Sequence, residues 1–120
     1  MLQRIDRVQL ATTTADDAAA PWVRYLGAEP AGTQDSAYLN ARIHCYRLAQ
    51  GFVEFLEPLG DGPVSAALAS RGGPHLFAGG ATTKDMAGLK AHLNSGAIPF
   101  TEEDGQLHLD LGAEIAGLRM

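Results

Sequence analysis

The sequence repeats itself. Ala11-Thr12-Thr13 returns as Ala81-Thr82-Thr83, an offset of 70 (81 minus 11), and Gly27-Ala28-x-Pro30 returns as Gly96-Ala97-x-Pro99, an offset of 69 (96 minus 27). The first match lies in each half just before a helix-like stretch, the second where that helix ends. Two matches in register inside similar surroundings predict a duplicated unit, and a chain of 120 residues leaves room for two copies inside one compact domain.

Each half reads strand–helix–strand–strand–strand. In the first, Ile5–Ala11 alternates polar and apolar residues as a half-buried strand does. Thr12–Asp17 reads as a loop, and Ala18–Leu26 as a helix with Ala19, Trp22, Val23 and Leu26 on its apolar stripe. Pro21 falls in its first turn on this reading and Gly27 closes it. Strands are predicted over Glu29–Thr33, Ala37–Leu48 and Phe52–Glu57, the last two joined by a tight turn at Gln50-Gly51. Pro63 and Gly72 bracket a short helix. In the second half His75–Ala78 is a short strand, Thr83 caps a helix over Lys84–Leu93, and Ala97–Thr101, Gln106–Leu111 and Ile115–Met120 are strand candidates. Met86, Leu89 and Leu93 form that helix's apolar stripe. The expected architecture is α+β: two βαβββ modules, 1–72 and 73–120, in a curved mixed sheet. The abrupt apolar ending suggests a second module cut short at its C-terminus.

Composition excludes several functions. A net charge of -5 argues against nucleic-acid and anionic-membrane partners, which need a basic stripe. No apolar run approaches a membrane span, and the N-terminal residues read as strand rather than signal, so a cytoplasmic location is expected. The single cysteine, Cys45, has no disulfide partner and reads as an inert buried thiol. Gly60–Pro63 and Gly72–Pro74 lack the lysine of a phosphate-binding loop, and no serine-based nucleophile elbow is present.

The order of segments resembles the vicinal oxygen chelate superfamily, which includes glyoxalase I, bleomycin-resistance proteins, extradiol dioxygenases and methylmalonyl-CoA epimerase. The epimerase-like branch is nearest. Ile5-Asp-Arg-Val-Gln-Leu-Ala11 is similar to its opening strand, where a histidine usually stands in place of Arg7; Leu26-Gly27 is similar to its helix end. Val53–Gly60 and Gly73-Pro-His-Leu-Phe77 resemble its Glu-Leu-Leu-Glu-Pro-Leu and Gly-x-His-His stretches. The resemblance implies helices on the convex side of the sheet, a divalent metal on four side chains in its concave side, and a homodimer. Carried over, those positions are Arg7, Glu54, His75 and Arg119.

Two of the four are arginines. A guanidinium has no lone pair to give a metal and stays protonated, so the site reads as degenerate and no cofactor is expected, with a divalent metal as the alternative. If Val8, Leu10, Val53 and Phe55 face the helices, then Arg7, Gln9, Phe52, Glu54 and Leu56 face the cleft. Two readings stay open. Either Arg7 and Arg119 neutralise Glu54 in a vacated cavity, or they form an anion pocket in which Glu54 orients a ligand or serves as the catalytic general base. His75 reads as a cleft histidine or a metal ligand, and Phe52, Leu56 and Phe77 as the cleft's apolar wall or as core. His44 and His108 sit mid-strand, His108 on a polar sheet face; His92 is solvated and Glu57 is a rim residue. Two functions are therefore expected as candidates. One is metal-free binding of a small anionic or carbonyl-containing ligand; the other is a metal-dependent epimerase or lyase acting next to a carbonyl, possibly on an acyl-CoA.

Overall fold

A computed structural model describes residues 2–109. Its elements are β1 (Arg4–Ala11), α1 (Ala15–Leu26), β2 (Glu29–Ser36), β3 (Ala41–Arg47), β4 (Phe52–Pro58), α2 (Pro63–Arg71), β5 (His75–Thr82), α3 (Met86–Ser95), β6 (Thr101–Glu103) and β7 (Gln106–His108). Five strands form one mixed sheet in the order β2-β3-β4-β1-β5, and β6-β7 is a separate hairpin. β1 runs parallel to β4 and antiparallel to β5; β4–β3 and β3–β2 are antiparallel. The first half thus completes the expected βαβββ order. The strand candidate Ile115–Met120, with Arg119, lies outside the described residues.

The helix ends follow from local chemistry, with three departures from expectation. α1 begins at Ala15 rather than Ala18, because Asp16 and Asp17 sit in its first turn, where the positive helix end favours carboxylates. Pro21 consequently falls in the second turn, and the helix still runs to Gly27, its left-handed cap. The missing Pro21 N–H is tolerated because packing, not hydrogen bonding alone, holds this helix. Ala15 and Ala19 are buried with Val53 and Phe55, and Trp22 meets Phe55 edge-on with ring centroids 6.3 Å apart. Val23 and Leu26 are exposed, so the buried stripe is Ala15-Ala18-Ala19-Trp22. In α3 the cap is Asp85, whose carboxylate accepts from the Gly88 N–H at 2.9 Å, while Thr83 bonds the Asp85 N–H instead. α2 is as expected, with Pro63 first and Gly72 left-handed after Arg71.

Alternation along β4 divides the core. Val53 and Phe55 point toward α1; Tyr46 also meets the Phe55 ring edge-on at 5.6 Å. Burying a phenylalanine contributes roughly 1.5–3 kcal/mol, and each such ring pair about 0.5–1.5 more. On the other face Leu56 packs with Ala11, Leu39, Ala41, Ile43 and, from α2, Val64 and Leu68. α2 therefore closes one end of the face that carries Glu54, and beyond it that face opens into a cavity.

Candidate functional site

One row of ladder partners crosses the whole sheet: Gly32, Cys45, Glu54, Gln9 and Ala78, on β2, β3, β4, β1 and β5. Neighbours in such a row present their side chains on the same face. The register thus converts residues scattered along the chain into one polar cluster. The Gln9 side-chain amide donates to Glu54 Oε1 at 2.9 Å, and both residues are buried. One register step away, Arg7 reaches Glu54 Oε2 with Nη1 at 3.7 Å and Asp6 with Nε at 3.3 Å. Gly80 lies opposite Arg7 and leaves room for that side chain; a Cβ there would overlap it. Cys45 stands beside Glu54 as its ladder partner. Burial first, and the adjacent carboxylate second, push the thiol pKa up, so it stays protonated at neutral pH.

Arg7, Cys45, Glu54 and Gly80 border a cavity of about 630 Å³, whereas Gln9 does not line it. Arg7, Cys45 and Glu54 form its polar floor. Ile43, Met86, Leu89, Leu93 and Leu107 supply an apolar wall, and Asp104 and Gly105 bring the tip of the β6–β7 hairpin to it. The size falls within the range of small-molecule sites, roughly 300–1,000 Å³.

The structure brings Arg7, Gln9 and Glu54 together, as strand alternation predicts. It does not bring His75 to them. His75 pairs with Ala11 at the start of β5, its Nδ1 lying 2.9 Å from the Gly73 carbonyl, whereas Gly80 takes the place beside Arg7. The reason is β5 itself, which runs to Thr82 rather than stopping at Ala78 and carries a bulge near Phe77. Phe77 packs against the core beneath α2 with Leu56, and Phe52, although Arg7's ladder partner, does not line the cavity. The apolar wall expected from Phe52, Leu56 and Phe77 comes instead from Ile43, α3 and the hairpin.

Among the described residues, the side chains around Glu54 do not fit a divalent cation. Both oxygens of Glu54 face donors, Arg7 sets fixed positive charge against any metal, and His75 stands elsewhere. Among the described residues no group of three or more His, Cys, Asp or Glu side chains is placed to hold a metal ion.

Two features escaped sequence reasoning. Glu57 is no mere rim residue: its Oε2 accepts from the Ala15 N–H at 2.8 Å, capping α1 from a neighbouring strand, while Thr14 makes no side-chain cap. His44 Nε2 lies 3.6 Å from the other Glu57 oxygen. The second feature is a cluster around Glu103. Its carboxylate accepts from Ser36 Oγ at 2.6 Å and the Tyr38 N–H at 2.9 Å, and His108 Nε2 is 3.5 Å away. His108 is buried and stacked on Tyr38 at 4.6 Å, not placed on a solvated polar face. His92, by contrast, is exposed as expected.

No protein-family model and no curated protein matches the sequence. Solved structures do match the fold. A methylmalonyl-CoA epimerase in complex with methylmalonyl-CoA and NH4+ superposes with a TM-score of 0.84 at 18% identity, covering 99% of this chain and 92% of that one. The methylmalonyl-CoA epimerase of Mycobacterium tuberculosis gives 0.83 at 15% identity, over 98% and 85% of the two chains. A hypothetical protein of Bacillus halodurans gives 0.78 at 17%, over 97% and 89%.

This chain has the epimerases' fold.

It is the glyoxalase-like fold that the sequence resemblance implies. At such identities the likeness speaks for architecture alone. No helix among the described residues is long and apolar enough to cross a membrane.

Proposed function

We propose that the cavity binds a small carbonyl-containing ligand without a metal, with the ligand oxygen held by the Arg7 guanidinium. The observation that carries this reading is the company Arg7 keeps. Asp6 and Glu54, at 3.3 and 3.7 Å, already set two carboxylates against one guanidinium. Two unit charges about 4 Å apart interact by about 4 kcal/mol at an effective dielectric of 20, so an entering anion meets repulsion of the same order as its attraction to Arg7. A neutral carbonyl meets no such repulsion and still finds the N–H donors that Arg7 has to spare. Of the two ligand chemistries expected, anionic and carbonyl-containing, the geometry thus favours the second.

Calorimetric titration with 2-octanone and with octanoate tests the reading. The ketone is expected to bind and the carboxylate to bind at least tenfold more weakly, with Arg7→Gln removing most of the ketone affinity. Tighter octanoate binding overturns it.

A catalytic reading stands second, favoured by a buried carboxylate bordering a cavity in an epimerase fold. Glu54 then removes a proton next to the carbonyl of an acyl thioester. Deuterium uptake from heavy water at the α-carbon of an acyl-CoA, abolished in Glu54→Gln, supports it; no uptake with or without added divalent metal rejects it. We propose for either activity a cytoplasmic location and a homodimer built on exposed strand edges such as β2.

A further inference from the structure

The cavity has two kinds of lining. Arg7, Cys45 and Glu54 bring polar groups to it, while Met86, Leu89 and Leu93, one face of α3, join Ile43 and Leu107 as apolar lining. Met86, Leu89 and Leu93 recur at helical spacing, as they would in a helix burying that stripe in a core. Among the described residues the stripe borders the cavity instead. Leu93 and Leu107 are buried, while Met86 and Leu89 remain half-exposed within the cavity. Apolar side chains facing a volume of about 630 Å³ call for an apolar occupant, since filling it removes both surfaces from water. The volume is larger than a three- or four-carbon carbonyl compound needs.

We infer that the site selects ligands by an aliphatic chain, seated against α3 and the β6–β7 hairpin, extending from the carbonyl held at Arg7. This rests on the carbonyl-binding reading above and adds the substrate class: medium-chain ketones or acyl derivatives rather than short ones. Each methylene moved from water onto the α3 face is expected to tighten binding about fourfold until the cavity is full.

The experiment is a calorimetric series of 2-butanone, 2-hexanone, 2-octanone and 2-decanone on the wild-type chain, Arg7→Gln and Leu89→Asn, with circular dichroism confirming each fold. The wild type is expected to gain affinity at each step. Leu89→Asn should flatten that dependence, and Met86→Ser, at the more exposed end of the stripe, repeats the test should Leu89→Asn not fold. Arg7→Gln should weaken every ketone by a similar factor and leave the chain-length dependence intact. Affinities independent of length, but weakened by Arg7→Gln, overturn the aliphatic selection while the carbonyl reading stands. A length dependence with every affinity left unchanged by Arg7→Gln overturns the carbonyl reading alone. Absence of binding by all four ketones overturns both.

Discussion

Gly80 faces Arg7 across the β1–β5 ladder, and the missing side chain at Gly80 leaves room for the stem of Arg7, whose guanidinium reaches Glu54 on β4. The relationship is steric. A Cβ at Gly80 would overlap the aliphatic stem of Arg7, while one at the adjacent Gly79 meets nothing within 4 Å. Neither glycine has a left-handed backbone, so alanine fits both main chains.

Gly80→Ala is therefore expected to cost ketone affinity about as much as Arg7→Gln, roughly tenfold, the loss of one charge-assisted hydrogen bond. Gly79→Ala should leave affinity unchanged. Titration of the two variants side by side is the check; equal affinities would show that Arg7 reaches the ligand by another route.

Glu57 supplies the second prediction. It sits on β4 but caps α1, 42 residues earlier in the chain. Replacing it with alanine leaves the Ala15 N–H without its acceptor and should lower stability by about 1 kcal/mol, typical of a lost cap. Thr14→Ala, at the residue immediately before α1, should cost much less, because Thr14 makes no cap hydrogen bond. Urea unfolding of both variants compares them directly; the reverse order of midpoints would place the cap at Thr14.

These cases mark what could be read from the sequence. Features set by neighbours in the chain were legible: Pro63 and Gly72 around α2, the turn at Gln50-Gly51, and the alternation that aims Arg7, Gln9 and Glu54 at one face. Where α1 begins was misread because Asp16 and Asp17 suit a loop and a helix's first turn equally well. Features set by register were hidden. The neighbour of Arg7 is Gly80 rather than His75 because β5 is longer than its apolar pattern and carries a bulge. Glu103 meets Ser36 across 67 residues, and no local pattern announces that contact. The cavity wall was missed for the same reason: α3's stripe looks identical whether it faces a core or a ligand.

Glu103 supplies the last prediction, and it concerns pH. Burial on its own would raise the Glu103 pKa, but the hydrogen bonds from Ser36 and the Tyr38 backbone, with nearby His108, outweigh it and hold the carboxyl below the ordinary carboxylate value. A carboxyl with a lowered folded-state pKa binds its proton more readily in the unfolded chain. Its contribution to stability is complete above the unfolded-state value, about 4.3, and is lost as pH falls through the folded-state value. The bonds it makes join the β6–β7 hairpin to the end of β2, and the hairpin tip borders the cavity, so acidification should loosen one cavity wall before the sheet unfolds. Glu103→Gln keeps the shape but removes the charge. It should cost about 1–2 kcal/mol near pH 7 and flatten the decline in stability between about pH 5 and 3. Hydrogen exchange at the Tyr38 and Leu39 amides, which bond Glu103 and Ser36, reports the same event locally. Those amides should lose protection in the variant at neutral pH and in the wild type only under acid. Equal protection in both proteins at pH 7 would mean that Ser36 and Tyr38 hold the hairpin without the carboxylate charge.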